Sequence, residues 1–359
     1  MDVLKSLPLL LLWPLLTGCQ IGYLYKSARS QLSLLSKRVP IEEALRDPGL
    51  DETQKEKLRR AQEAHDHAVK KMSLKEGKSY TSFVQLDRPY VSYVVSAAPR
   101  WKLEHHEWSY PIVGRMPYRG FADENDAKEE QGELEREGLD TFLRGVSAYS
   151  TLGWFNDPVL SSMLRGSEAG LVNTIIHETV HTTLYIRNSA DFNERLAVFV
   201  GNRGTEEFYL EREGPDSPTV KRIRDENADD ALFSDFIGPQ IRELKNWYER
   251  LPADQRREEL REERFRKIQS EFRLRALPKM KTASYKNFPD IGLNNARLLY
   301  YRTYMQDLSD FESLYAGVGS SWKKFLDCAR TLEKAAKPEE ELKTLVSRLR
   351  TEKPETLCP

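Results

Sequence analysis

The stretch "NTIIHETVHTTLYIRNSADFNERLAVFVGNRG", residues 173–204, sets two histidines four residues apart with a glutamate directly after the first. Residues at i and i+4 share one face of an α-helix, so His177 and His181 point the same way, and both imidazoles can reach one ion at about 2.0 to 2.1 Å. Glu178 lies on the edge of that face. There it can hydrogen-bond a water on the ion without being a ligand itself. Leu171, Val172, Ile175, Ile176, Val180 and Leu184 flank the three, so the helix is expected to be buried. Two imidazoles and a carboxylate in a buried helix cost free energy unless they are paired or hold an ion. A fold for this chain must therefore wrap a core around one helix and bring a further ligand to its polar face. The alternative is a core helix whose histidines are satisfied by ordinary hydrogen bonds.

Spacing narrows the choice of third ligand. A metzincin would carry glycine at 184 and histidine at 187, where this chain has Leu184 and Arg187. The usual gluzincin spacing points to Val200, Gly201 and Asn202, none of them a carboxylate. Glu194 comes earlier, after the loop "NSAD", in "FNERLAVFVG", whose apolar spacing predicts a short second helix. A tight helical hairpin would aim it back at the ion. Two other readings stay open: Asp191 as the ligand, or Asp191 and Glu194 as a capping box at the helix start.

A chain of 359 residues with 39% hydrophobic content can bury a sizeable core in one large domain or two closely packed ones. Its 55 basic and 56 acidic residues leave a net charge of −1, which argues against nucleic acid as a partner. Helical spacing predicts two packed helices between Tyr23 and Lys75, broken at Pro48-Gly49. A small sheet is expected from Tyr80 to Tyr118, then a charged helix from Asp126 to Leu143 and a strand from Ser147 to Trp154 closed at Asp157-Pro158. Asp225 to Arg275 reads as a pair of long solvated helices, and "NNARLLYYRTYMQDLSDFESLYAG" as one amphipathic helix. The predicted fold class is α+β, mostly helical, with a small sheet beside the histidine helix. Residues 19–359 read as one catalytic domain, in which 19–145 form a helical and small-sheet part and 146–359 carry the site.

The first 18 residues read as a signal peptide. Lys5 precedes an apolar run from Leu7 to Leu16, far short of the roughly 20 residues that span a bilayer. The run ends in Leu16-Thr17-Gly18-Cys19, which resembles the bacterial lipobox, so Cys19 is the expected lipidation site. Gln20 stands where a retention signal would place aspartate. The resemblance implies a lipid anchor on the periplasmic face of the outer membrane. In that oxidising compartment Cys328 and Cys358 are a candidate disulfide, with two free thiols as the alternative.

Asn193-Glu194-Arg195-Leu196-Ala197, together with "YPIVGRMPYRGF", "YSTLGWFNDP", "HETVH" and "NNARLL", resembles the bacterial family described as "Putative aminopeptidase", a gluzincin-like group of exported lipoproteins. The resemblance runs from the lipobox to near Leu326. It implies a zinc-dependent peptidase acting on peptide substrates, with His177, His181 and Glu194 as ligands and Glu178 as general base. The chain lacks the G-x-M-E-N motif by which the well-known gluzincin aminopeptidases hold a free N-terminus, so endopeptidase action is the second reading. A non-catalytic lipid-anchored scaffold is the third. A phenol beside the metal would serve the developing oxyanion, and Tyr301, Tyr304 and Tyr149 are the candidates. Glu104-His105-His106-Glu107 and His65-x-His67 receive no role, because their side chains diverge on a strand or a helix.

Overall fold

The computed structural model describes residues 18–110, 114–305 and 307–358. The signal peptide expected over residues 1–18 lies outside them apart from Gly18, and of Cys19 only the helical backbone is described. The chain enters through helix α1 (Gly18–Ser36), passes strand β1 (Val39–Pro40) and the single turn α2 (Ile41–Ala44), and continues into α3 (Glu52–Lys70). Asp51 starts α3 with a reciprocal cap: its carboxylate accepts from Gln54 N at 2.8 Å, and the Gln54 side chain accepts from Asp51 N at 3.0 Å. Helices α1 and α3 lie on either side of Pro48-Gly49 as expected, with the single turn α2 between them.

Next come β2 (Ser82–Val84), β3 (Ser92–Pro99), the hairpin β4 (Trp108–Tyr110) and β5 (Gly114–Met116), β6 (Tyr118–Phe121), α4 (Glu124–Arg136) and β7 (Leu139–Val146). An antiparallel sheet of order β6-β3-β7 results, with Val94 opposite Arg144 and Ser96 opposite Tyr118. Side chains alternate between its faces. Tyr93, Val95, Ala97, Leu139 and Leu143 pack on Ala127 and Leu134 of α4. Val94, Tyr118 and Arg144 stand on the other face, which becomes one wall of the site. A second small sheet, of order β1-β2-β8, is completed by β8 (Val159–Leu160).

Two expectations fail in this region. The charged helix stops at Arg136 and not Leu143, because Gly138 turns the chain with φ 82° and the residues that follow join the ladder on β3. Ser147 to Trp154 is not a strand. The Asp157 carboxylate accepts from Thr151 N at 2.9 Å and Thr151 Oγ1 at 2.8 Å, and Leu152 and Gly153 turn with φ 54° and 79°, so this segment closes on itself as a loop.

The remaining helices are α5 (Glu168–Thr183), α6 (Ala190–Glu213), α7 (Pro218–Arg250), α8 (Glu258–Arg275), α9 (Asn295–Tyr304), α10 (Ser309–Gly317), α11 (Trp322–Thr331), α12 (Pro338–Arg348) and the last turn α13 (Pro354–Leu357). Small, separate sheets in a mostly helical chain make the fold α+β. The main core gathers α3, α5, α6 and α10 to α12. Helices α7 and α8 are less solvated than their charge suggested, since Phe233, Ile237, Ile241, Phe265 and Phe272 bury a seam against α9. The single helix expected after Asn294 is two: α9 ends at Tyr304 and α10 begins at Ser309.

Cys328 on α11 and Cys358, 30 positions apart in sequence, are joined as a disulfide, with Cα atoms 4.6 Å apart. Cross-linking a loop of this length stabilises by about 3 to 4 kcal/mol in the chain-entropy model. Replacing both cysteines by serine is therefore expected to lower stability by about that amount in denaturant melts. Thiol labelling of the denatured, unreduced protein is expected to find neither cysteine.

Candidate metal centre

Helix α5 begins where the Ser167 hydroxyl accepts from Gly170 N at 3.0 Å. Glu168 in its first turn accepts from Arg60 Nε of α3 at 2.6 Å and from the Tyr209 hydroxyl of α6 at 3.2 Å, which ties three helices together. Leu171, Val172, Ile175, Ile176 and Val180 are buried, as is Leu184 just beyond the helix end. That apolar stripe turns Asn173, His177, Glu178 and His181 to the opposite side, into a cavity of about 440 Å³. Helix α6 lies close against this one: a Cβ on Gly201 would stand 3.3 Å from Asn173 Oδ1 and 3.4 Å from His177 Cβ.

The turn between the two helices is held by Asn193, which is 1% exposed. Its amide oxygen accepts from Ile186 N at 2.8 Å and its amide nitrogen donates to Ile186 O at 2.7 Å. With the loop pinned in this way, the next residue, Glu194, projects between the imidazoles. Glu194 Oε2 lies 3.3 Å from His177 Nε2 and 3.7 Å from His181 Nε2, and the two Nε2 atoms are 3.2 Å apart. Ligand atoms on a tetrahedral ion with bonds of about 2.0 to 2.2 Å stand roughly 3.3 to 3.6 Å from one another. The three observed separations surround that range, so these atoms could hold a metal. Two imidazoles and a carboxylate are also a donor set suited to zinc, with room left for a water.

Asp191 goes elsewhere: it accepts from the Thr303 hydroxyl at 2.7 Å and lies 3.8 Å from Arg302. The capping-box reading also finds no support, because Ser189 is the cap residue of α6 and no side-chain cap bond forms there. The second helix is long, 24 residues, rather than short.

The cavity wall opposite α5 and α6 includes Tyr118 of β6, Arg144 of β7 and Tyr304 of α9, with Tyr185 and Tyr149 from the flanking loops. Of the three tyrosine candidates, Tyr304 faces the cavity and its hydroxyl accepts from Arg144 Nη2 at 3.3 Å. Tyr149 also lines it, but its hydroxyl donates to Gln31 of α1. Tyr301 does not reach the cavity; its ring packs at 5.1 Å from Phe233 and 5.7 Å from Phe288, inside the second core. Tyr118, Arg144, Tyr185 and Asn193 were not singled out from the sequence. Tyr118, in "YPIVGRMPYRGF", and Asn193, beside Glu194, carried a signal only through the family resemblance.

Charge in the site is strongly coupled. Burial pushes the Glu178 carboxyl up, His177 and His181 pull it back in part, and the net result is a value above the ordinary one. Burial also pushes Glu194 up, but the two imidazoles outweigh it and hold Glu194 well below the usual carboxylate range. For His181, burial lowers the pKa and Glu194 more than reverses that, leaving it above the ordinary 6.5.

A family model described as "Putative aminopeptidase" matches residues 22–345. The chain belongs to that family. Neither the comparison with curated proteins nor that with solved structures returns a match. The "Putative aminopeptidase" match spans every residue of the histidine–glutamate cluster and of the cavity wall, and extends past Leu326 into α12. The family description suggests a peptidase, a hydrolase of peptide substrates.

A pH dependence follows from the coupled pair in this family member. Without metal, Glu194 contributes stability above the ordinary carboxyl value of 4.5, which is lost as pH falls through its lowered folded value. His181 contributes stability that is full below 6.5 and is lost as pH rises through its raised folded value. Metal binding requires the neutral imidazole, so it must displace that proton. Uptake of a divalent metal ion is expected to release protons near neutral pH, and affinity to fall on acidification starting above pH 6.5. Calorimetry in buffers of different ionisation enthalpy measures both.

Proposed function

We propose that the protein is a zinc-dependent peptidase in which His177, His181 and Glu194 hold the metal and Glu178 is the general base. The single observation that carries this reading is the cluster of two Nε2 atoms and one carboxylate oxygen at tetrahedral-ligand spacing, beside a fourth group, Glu178, that is not part of the cluster. A structural zinc site has no need of such a carboxylate. Zinc, when bound, polarises the scissile carbonyl and lowers the pKa of its water towards 7. Glu178, on the same helix face, takes a proton from the attacking water and delivers it to the leaving amine nitrogen.

Tyr304 serves the oxyanion in this reading. Because Arg144 donates to its oxygen, its own proton is free to point into the cavity, and burial keeps the phenol protonated. Tyr304→Phe is expected to lower kcat by about a hundredfold with KM little changed. An unchanged kcat moves the role to Tyr118.

Metal analysis of the purified protein, combined with hydrolysis of a peptide panel with free and blocked amino termini, tests the reading as a whole. Zinc at one equivalent and cleavage of unblocked peptides support a zinc aminopeptidase. Cleavage of blocked peptides turns it into an endopeptidase, and no cleavage of any peptide rejects it. We also propose that Cys19 is lipidated and anchors the chain at the periplasmic face of the outer membrane, on the strength of Leu16-Thr17-Gly18-Cys19. No described helix is long and apolar enough to cross a membrane. Mass spectrometry of the native N-terminus decides it, and an unmodified Cys19 sinks it.

A further inference from the structure

Arg144 is placed by the pleat of β7. Its neighbours on the same face are Asp140, which pairs with Arg261, and Phe142, which packs 5.4 Å from Tyr300. The residues between them point to α4. Arg144 therefore reaches the cavity between Tyr300 and Tyr304, with its guanidinium 4.9 Å and 5.3 Å from their ring centroids. One N–H goes to the Tyr304 hydroxyl, and Nε is buried without a partner. Among the described residues, no carboxylate forms an ion pair with it. A half-buried cation held by two aromatic faces and one phenol has no carboxylate in direct contact, and Glu194 acts on it only from across the cavity.

The rest of the cavity is the complement of this. Among the described residues that line it, the carboxylates are Glu178 and Glu194. In the proposed reaction both are committed, Glu194 to the histidines and Glu178 to proton transfer. None is left to hold the ammonium group of a substrate. With a doubly charged metal the two carboxylates are neutralised, and Arg144 leaves the site with one surplus positive charge. The guanidinium fork fits a carboxylate with two parallel N–H···O bonds. A cavity of about 440 Å³ has room for a short peptide.

Resting on the peptidase reading above, we infer that the site takes short peptides with a free C-terminal carboxylate and that Arg144 binds that carboxylate. The substrate is thus positioned from its C-terminal end, with the scissile carbonyl on the metal side of the cavity. A site built in this way selects the bond by its distance from the C-terminal carboxylate, so it acts on short peptides and not on long chains.

The test measures binding separately from catalysis. Zinc-loaded Glu178→Gln protein, which keeps its ligands but does not turn over, is titrated calorimetrically with the dipeptide alanyl-phenylalanine and with its C-terminal amide. The acid is expected to bind at least about tenfold more tightly than the amide. Adding Arg144→Gln is expected to weaken the acid to the level of the amide and to leave the amide unchanged. Arg144→Lys, which keeps the charge but loses the fork, is expected to retain part of the preference. Equal binding of acid and amide when Arg144 is present overturns the inference, as does a preference that survives Arg144→Gln in a protein with an unaltered melting temperature. If zinc-loaded wild type hydrolyses no peptide while the acid preference and its loss in Arg144→Gln are both seen, the peptidase reading fails and the carboxylate site stands.

Discussion

Glu178→Gln is expected to lower peptide hydrolysis by about 10²- to 10⁴-fold while the metal content stays at the wild-type level. Glutamine matches glutamate in size and keeps a carbonyl oxygen to orient water, but it cannot take up the proton. The structure makes the substitution a clean one, because Glu178 lies outside the cluster formed by His177, His181 and Glu194. The measurement is a pair: kcat/KM on an unblocked dipeptide, and zinc per chain by elemental analysis. Full activity in this variant would remove the hydrolase reading and leave a metal-bearing scaffold in its place.

His177→Ala, His181→Ala and Glu194→Ala are expected to lose the metal and the activity together, since in the proposed site each supplies one of three protein ligands. Glu194 is the informative member of the set. If it only closed the start of α6, its alanine variant would lose about 1 kcal/mol of stability and keep its zinc. The structure favours the larger outcome. Glu194 lies 3.3 Å and 3.7 Å from the two imidazoles, while α6 begins at a serine that makes no side-chain cap bond. Retained zinc in Glu194→Ala would send the search for a third ligand to a residue outside this cluster.

Much of the site's first half was legible in the sequence because it is local. The i,i+4 spacing of His177 and His181, the position of Glu178 on the edge of their face and the apolar stripe behind them depend only on the geometry of one helix. Leu171, Val172, Ile175, Ile176 and Val180 are buried where that geometry places them. Glu194 was one of several open choices. Choosing among them takes the loop geometry, and the two bonds from Asn193 to Ile186 are what set it.

Other errors share one cause. Glu133 to Leu143 carries both helical charge patterning and β-compatible residues, and a helix stopped by Gly138 cannot be told from a longer one until β3 offers its ladder. Ser147 to Trp154 has the composition of a strand, yet Asp157 folds it back. Local preference was overruled in both cases by hydrogen bonds made elsewhere.

What the sequence determined by itself is the periodic part: a buried helix presenting two imidazoles and a glutamate, a mostly helical chain and a cysteine pair. Tertiary structure alone decided that Tyr304 and not Tyr301 faces the cavity, that Asp191 turns to Thr303, and that Arg144 arrives opposite α5 and α6. Those outcomes depend on strand register and helix packing between residues up to 160 positions apart, as in the Arg144–Tyr304 bond. Which of two adjacent side chains meets a distant partner is a property of that packing, and no spacing along the chain encodes it.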